Sequence, residues 1–125
     1  MIFKAAMSKD FSKIENLALI GQRVTNLISG CQIMRKMPKL QELNLTSNRI
    51  STMSALSELK QLQVLNLNTN RIKEINNLNL PLLTHLSLDS NLITEVRGLR
   101  ALKKLEVLSL ANNLLTDASS QETGF

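Results

Sequence analysis

The 125-residue sequence predicts an α/β solenoid: a right-handed curved stack of short coils, with a parallel sheet on the concave face and short 3-10 or helical turns on the convex face. Three observations predict it. The stretch LQELNLTSNRI, Leu40 to Ile50, returns 22 positions later as LQVLNLNTNRI, Leu62 to Ile72, then more loosely as LTHLSLDSNLI from Leu83 and LEVLSLANNLL from Leu105. Each copy places leucine-like residues at its positions 1, 4, 6 and 11 and Asn at position 9 (Asn48, Asn70, Asn91 and Asn113). Between copies the rhythm changes to one apolar residue in three, as in Ile50, Met53, Leu56, Leu59, Leu62 and again in Ile93, Val96, Leu99, Leu102, Leu105.

The elements follow in chain order. Residues 1–13 read as an amino-terminal capping helix, because Ile2, Phe3, Ala6, Met7, Phe11 and Ile14 fall roughly on one helical face. A weaker copy, IENLALIGQRV from Ile14, opens the first coil (14–39), with Gln22 in place of Asn and about four extra residues around Ile28 to Cys31. Full coils follow at 40–61, 62–82 and 83–104, and an incomplete fifth at 105–116. In each, positions 4 and 6 alternate and so face the same side of a short strand. The Asn amide then satisfies loop backbone groups as the chain turns away. Period three in the return segment is that of 3-10 turns. One such unit cannot bury its leucines alone, so each coil is the core partner of the next. Residues 117–125 show no apolar pattern and are expected to form a flexible tail.

The composition agrees. Apolar residues make up 43% of the chain, yet Tyr and Trp are absent and Phe occurs three times, so Leu and Ile must fill identical small layers. Cys31 is the only cysteine, which rules out an internal disulfide and favours a reducing, cytoplasmic location, with the nucleus or a cilium as variants. No apolar run approaches the roughly 18 residues of a membrane-spanning helix. Asn44-Leu45-Thr46 matches a glycosylation sequon, a pattern common by chance.

With LxxLxLxxNxI followed by apolar residues every three, in 22-residue units from about Ile14 to Leu115, the sequence resembles the leucine-rich repeat family. Its rhythm is similar to the intracellular short-repeat class that includes the leucine-rich regulatory subunit of type-1 protein phosphatase and spliceosomal and axonemal proteins. The resemblance implies a non-enzymatic protein-binding module, an adaptor or regulatory subunit whose partner is a phosphatase catalytic subunit or an axonemal or cytoskeletal protein. The polar terminal cap usual in this class is not visible after Leu115, so the chain is expected to be a fragment of a longer array or a naturally short one, or else its carboxy-terminal edge at Leu105–Leu110 is covered by another molecule, self-association included.

Outward strand positions define the candidate partner-binding face: Glu42, Asn44, Val64, Asn66, Asn68, His85, Ser87, Asp89, Val107 and Ser109, flanked by Asn16, Ala18, Ile20, Thr46 and Ala111. These positions hold two acids, one His and no Lys or Arg, so the net charge of +5 lies elsewhere. Position 3 gives a row Glu42, Val64, His85, Val107, either a contact stripe or β-branched residues that simply suit a sheet. Strands about 4.8 Å apart give this face only a few hundred Å², against the ~800 Å² a partner usually contributes. The competing function is a ribonucleoprotein scaffold that contacts RNA through Arg97, Arg100, Lys103 and Lys104, with Arg35, Lys36 and Lys39 as a second cluster. No aromatic residues interleave with these cations for base stacking, so nucleic acid is disfavoured. Arg23, Arg49 and Arg71 are expected to pack their stems along the loop edge. One His and one Cys, with no phosphate-binding Gly loop, no metal-ligand cluster and no convergent carboxylate pair, argue against catalysis, a metal or a cofactor.

Overall fold

The computed structural model describes residues 10–76 and 78–116. Five strands form one parallel sheet in sequence order: β1 (Asn16–Ala18), β2 (Glu42–Asn44), β3 (Val64–Asn66), β4 (His85–Ser87) and β5 (Val107–Ser109). Each strand pairs with the next coil's strand in the register the repeat dictates, so Asn16, Glu42, Val64, His85 and Val107 form one row across the sheet. The fold is the leucine-rich solenoid that the sequence predicts.

The core is the stack of repeat leucines. Leu43, Leu65 and Leu86 occupy the middle of their strands, Leu45, Leu67 and Leu88 follow, and all six are buried. The three-residue rhythm of the return segments supplies the opposite wall through Met53, Leu56, Leu59, Ile75, Leu78, Val96, Leu99 and Leu102. The second coil forms a 3-10 turn there (Ser54–Glu58), as expected from the spacing. The extra residues of the first coil form an α-helix, α1 (Ile28–Met34), which buries Gly30, Cys31 and Met34. Cys31 is a free thiol within this core.

Of the predicted capping helix, residues 1–9 lie outside the described residues, as does the predicted tail, 117–125. Residues 10–13 belong to a turn in which Ser12 N–H donates to Asp10 Oδ1 at 2.9 Å and Ile14 N–H to the Phe11 carbonyl at 3.3 Å.

At position 8 of every coil the backbone enters the left-handed region: Gly21 (φ 64°), Ser47 (60°), Thr69 (58°), Ser90 (58°) and Asn112 (57°). This reversal turns the chain away after each strand and, in the four coils that carry it, aims the following Asn inward. Gly98 (φ 81°) packs so close to the preceding coil that a Cβ there would collide with the Ile75 carbonyl oxygen.

Candidate functional site

The sheet presents the predicted partner-binding residues of its strands on one surface, as its parallel register requires, and Asn68 and Asp89 follow beyond the strand ends. Along the outer row Glu42, His85 and Val107 are exposed and Val64 is half-buried between its neighbours. Val107 keeps 48% of its surface in solvent. The His85 ring is oriented by Thr84, whose hydroxyl lies 2.9 Å from Nδ1. With its amide turned to donate, Asn16 reaches Glu42 Oε2 at 3.1 Å and the Glu15 carbonyl at 3.2 Å. The small side chain of Ala18 opens a hollow of about 370 Å³ beside Glu42, bounded by Asn16, Asn44, Val64 and Asn66.

The other two rows behave differently from the first. Asn44 Oδ1 accepts from Thr46 N–H (3.0 Å) and from the Thr46 hydroxyl (2.5 Å), which also lies 3.0 Å from Asn66 Oδ1. Asn66 Oδ1 accepts from Asn68 N–H at 2.9 Å. Asn68 Oδ1 in turn takes the Ser87 hydroxyl (2.7 Å) and Asp89 N–H (2.8 Å), and Asp89 Oδ1 takes the Ser109 hydroxyl (2.5 Å) and Ala111 N–H (2.8 Å). Asn44, Asn66, Asn68, Ser87, Asp89 and Ser109 therefore form a surface ladder that ties strand ends together. Their acceptors are engaged within the sheet, which leaves the row Glu42–Val64–His85–Val107 as the part of the face free of that ladder. Sequence reasoning missed the division. The signal was there in the short polar residues at positions 5 and 7, which can bond locally to backbone.

Beneath lies the inner Asn ladder. Asn70 Oδ1 accepts from Ile50 N–H of the preceding coil at 3.0 Å, and Nδ2 donates to the carbonyls of Leu45 (3.0 Å), Leu67 (3.0 Å) and Asn68 (3.2 Å). Asn48, Asn91 and Asn113 repeat the pattern, with Asn48 Oδ1 accepting from both Gln22 N–H and Val24 N–H. Gln22 cannot reach the same position and donates to its own Ile20 carbonyl instead.

The two basic clusters sit on the return segments. Arg97 pairs with Glu95 at 2.6 Å and Arg35 with Glu58 at 3.4 Å, both exposed, while Arg100, Lys103 and Lys104 project into solvent. A second hollow of about 370 Å³ separates the first turn from α1 and is lined largely by Val24, Leu27, Ile33 and Met34. Burial pushes the Cys31 thiol up to about 11, with Glu58 adding to the shift and Arg35 opposing it. Among the described residues no three His, Cys, Asp or Glu side chains converge as a metal site, and no helix is long and apolar enough to cross a membrane.

Comparison with known proteins agrees with this geometry. Residues 12–72 match the family described as Leucine rich repeat, and residues 81–121 match Leucine Rich repeats (2 copies). Among solved structures, the chain is similar to an internalin (inlF) of Listeria monocytogenes, at 32% identity and TM-score 0.72 over 90% of this chain and 33% of that one. It is also similar to the internalin C2 (inlC2) of Listeria monocytogenes, at 31% identity and TM-score 0.72 over 85% of this chain and 46% of that one. The functional domain of InlJ of that organism gives 26% identity and TM-score 0.68 over 85% of this chain and 22% of that one. The chain thus spans less than half the length of each of these structures. A comparison with curated proteins returned no match.

Proposed function

Because the chain belongs to the leucine-rich repeat family, whose members are in general protein-interaction scaffolds rather than enzymes, we propose that it recognises a partner protein through the row Glu42–Val64–His85–Val107 and the adjoining loops. The observation that supports this best is the split of the concave face into a polar ladder cross-linked through its Oδ1 atoms and an apolar-centred row outside that ladder. Half-buried Val64 and exposed Val107 flanking an oriented histidine give a desolvatable centre, and Glu42 beside its hollow gives a polar rim. The area is small, so the loop edges must contribute to any tight complex.

In this reading the protein is a cytoplasmic adaptor or regulatory subunit. The 22-residue rhythm supports phosphatase targeting or attachment to an axonemal or cytoskeletal protein as its setting, and the single cysteine supports the compartment. A ribonucleoprotein role is less well supported, because Arg97 and Arg35 each already face a carboxylate.

The test is affinity capture from lysate with the full chain beside its Val64→Glu/His85→Glu variant, followed by titration of the captured protein against purified chain. A partner that binds directly, loses at least ~10-fold with the variant and ignores Arg100→Ala/Lys103→Ala supports the concave reading. Steep weakening with salt and with loss of those cations would replace it with a nucleic-acid reading.

A further inference from the structure

The turn edge of the solenoid carries a second ordered surface that the concave reading does not use. After β2, β3 and β4 the buried residues are positions 9 and 11, such as Asn70 and Ile72, while positions 10 and 12 are exposed in every coil. Position 10 lines up from coil to coil through backbone bonds to the preceding coil. Arg49 N–H donates to the Val24 carbonyl and Arg71 N–H to that of Ile50, both at 2.8 Å; Leu92 N–H donates to Ile72 and Leu114 N–H to Ile93, both at 2.9 Å. The column reads Arg49, Arg71, Leu92, Leu114, advancing about 4.8 Å per coil, and Arg23, whose backbone is left-handed (φ 56°), stands at the corresponding position of the first coil. All five side chains are exposed, Leu92 at 37% and Leu114 at 54%, and Lys73 stands beside the arginines at position 12. The ion pairs among the described residues, Arg35–Glu58 and Arg97–Glu95, include none of Arg23, Arg49, Arg71 or Lys73. Stacked guanidinium groups repel one another, and a line of carboxylates would relieve that repulsion.

We infer that this edge docks a protein helix that is acidic at one end and apolar at the other, with its carboxylates over Arg23, Arg49 and Arg71 and its apolar residues over Leu92 and Leu114. Side chains three and four apart on a helix lie about 5–6 Å from one another, close to the coil spacing, whereas alternate residues of a strand lie about 6.7 Å apart. Acidic residues are also favoured at a helix amino terminus, which gives the partner a direction on the column. A nucleic acid is a poorer match. Its charge would continue where the column turns apolar, and coils 14–116 contain no Phe, Tyr or Trp to stack on a base.

The probe is a synthetic helix-forming peptide of about 16 residues whose single face carries three Glu and then two Leu at alternating three- and four-residue spacing. It would be titrated into the isotope-labelled full chain and followed by amide NMR. The expected result is saturable shifts confined to Arg23, Arg49–Ser51, Arg71–Lys73, Leu92 and Leu114. Affinity should fall at least ~10-fold for Arg49→Glu/Arg71→Glu and several-fold for Leu92→Ser/Leu114→Ser. Circular dichroism would confirm that each variant folds. Val64→Glu/His85→Glu should leave this binding unchanged, so it can fail without touching the concave reading. Absence of binding, equal binding of a peptide with Lys for Glu, or shifts elsewhere would overturn the inference. So would an oligothymidylate that binds the same arginines, is indifferent to the leucine variant and displaces the peptide.

Discussion

Asn70 shows how far one side chain holds neighbouring coils together. Its amide bridges three carbonyls and one N–H from two coils with almost no access to water, so Asn70→Ala leaves several buried polar groups unpaired. At roughly 1–3 kcal/mol for each unsatisfied group, the variant should lose at least about 3 kcal/mol in urea unfolding. The residue before it works the other way. Thr69 is exposed, β-branched and left-handed, a combination that costs about 1–2 kcal/mol. Replacement by Gly should therefore raise stability, by about 0.5–1 kcal/mol once the added freedom of the unfolded chain is counted. A melting temperature unchanged or lowered would show that the threonine side chain makes a compensating contact. Cys31 adds a pH dependence. Its thiol holds its proton to about pH 11 when folded but loses it near 9 when unfolded, so the unfolded state binds fewer protons between those values. Stability present below about pH 9 should decline towards 11, and Cys31→Ala should flatten that decline relative to the parent chain. The Asn at position 9 was legible from its recurrence, whereas the left-handed residue at position 8 was not, because Gly21, Ser47, Thr69, Ser90 and Asn112 share a conformation without sharing a side chain.

At the scale of one coil, the strand and the return segment come from different regularities, and both are visible in the letters. Alternation fixes β1 to β5, and the three-residue apolar rhythm fixes the turns that close each coil. What periodicity does not reveal is the contact of a backbone with a backbone. Gly98 is one glycine among four in the sequence, yet it lets the fourth coil lie against the Ile75 carbonyl of the third. Gly98→Ala should cost more than a cap or surface change, at least about 2 kcal/mol, since it adds left-handed strain to a backbone collision. Hydrogen exchange would localise the loss to residues 72–76 and 95–99; uniform destabilisation would point to a different cause. The helix α1 was foreshadowed only as an excess of residues between Ile28 and Cys31, because tertiary burial of Cys31 and Met34, not an amphipathic repeat, decides its conformation. Likewise the polar rows of the sheet, read as contact surface in sequence, also carry hydrogen-bonded cross-ties, since only coordinates show that Asn68 meets Ser87 and Asp89 meets Ser109.

Across the whole molecule, stability should vary along the stack because each coil's core is completed by its neighbours. Leu65 and Leu86 have strands on both sides and are buried, whereas Leu108, the equivalent residue of β5, is only half-buried, as are Leu105 and Leu110. Truncation of Leu65 or Leu86 to Ala should cost roughly 2–5 kcal/mol, and the same change at Leu108 distinctly less, since fewer atoms surround the space it would leave. Amide exchange should follow the same order, slowest in β2 to β4 and fastest in β5. Protein concentration then separates two states of the β5 edge in this chain. If β5 ends the stack in solution, the small cost at Leu108 is the same at micromolar and near-millimolar chain. If a second copy covers β5, the cost at Leu108 rises with concentration towards that at Leu86, and sedimentation shows the dimer that Leu108→Lys abolishes. A large cost at Leu108 in dilute, monomeric protein would contradict the gradient itself and with it the additive, coil-by-coil account of this fold.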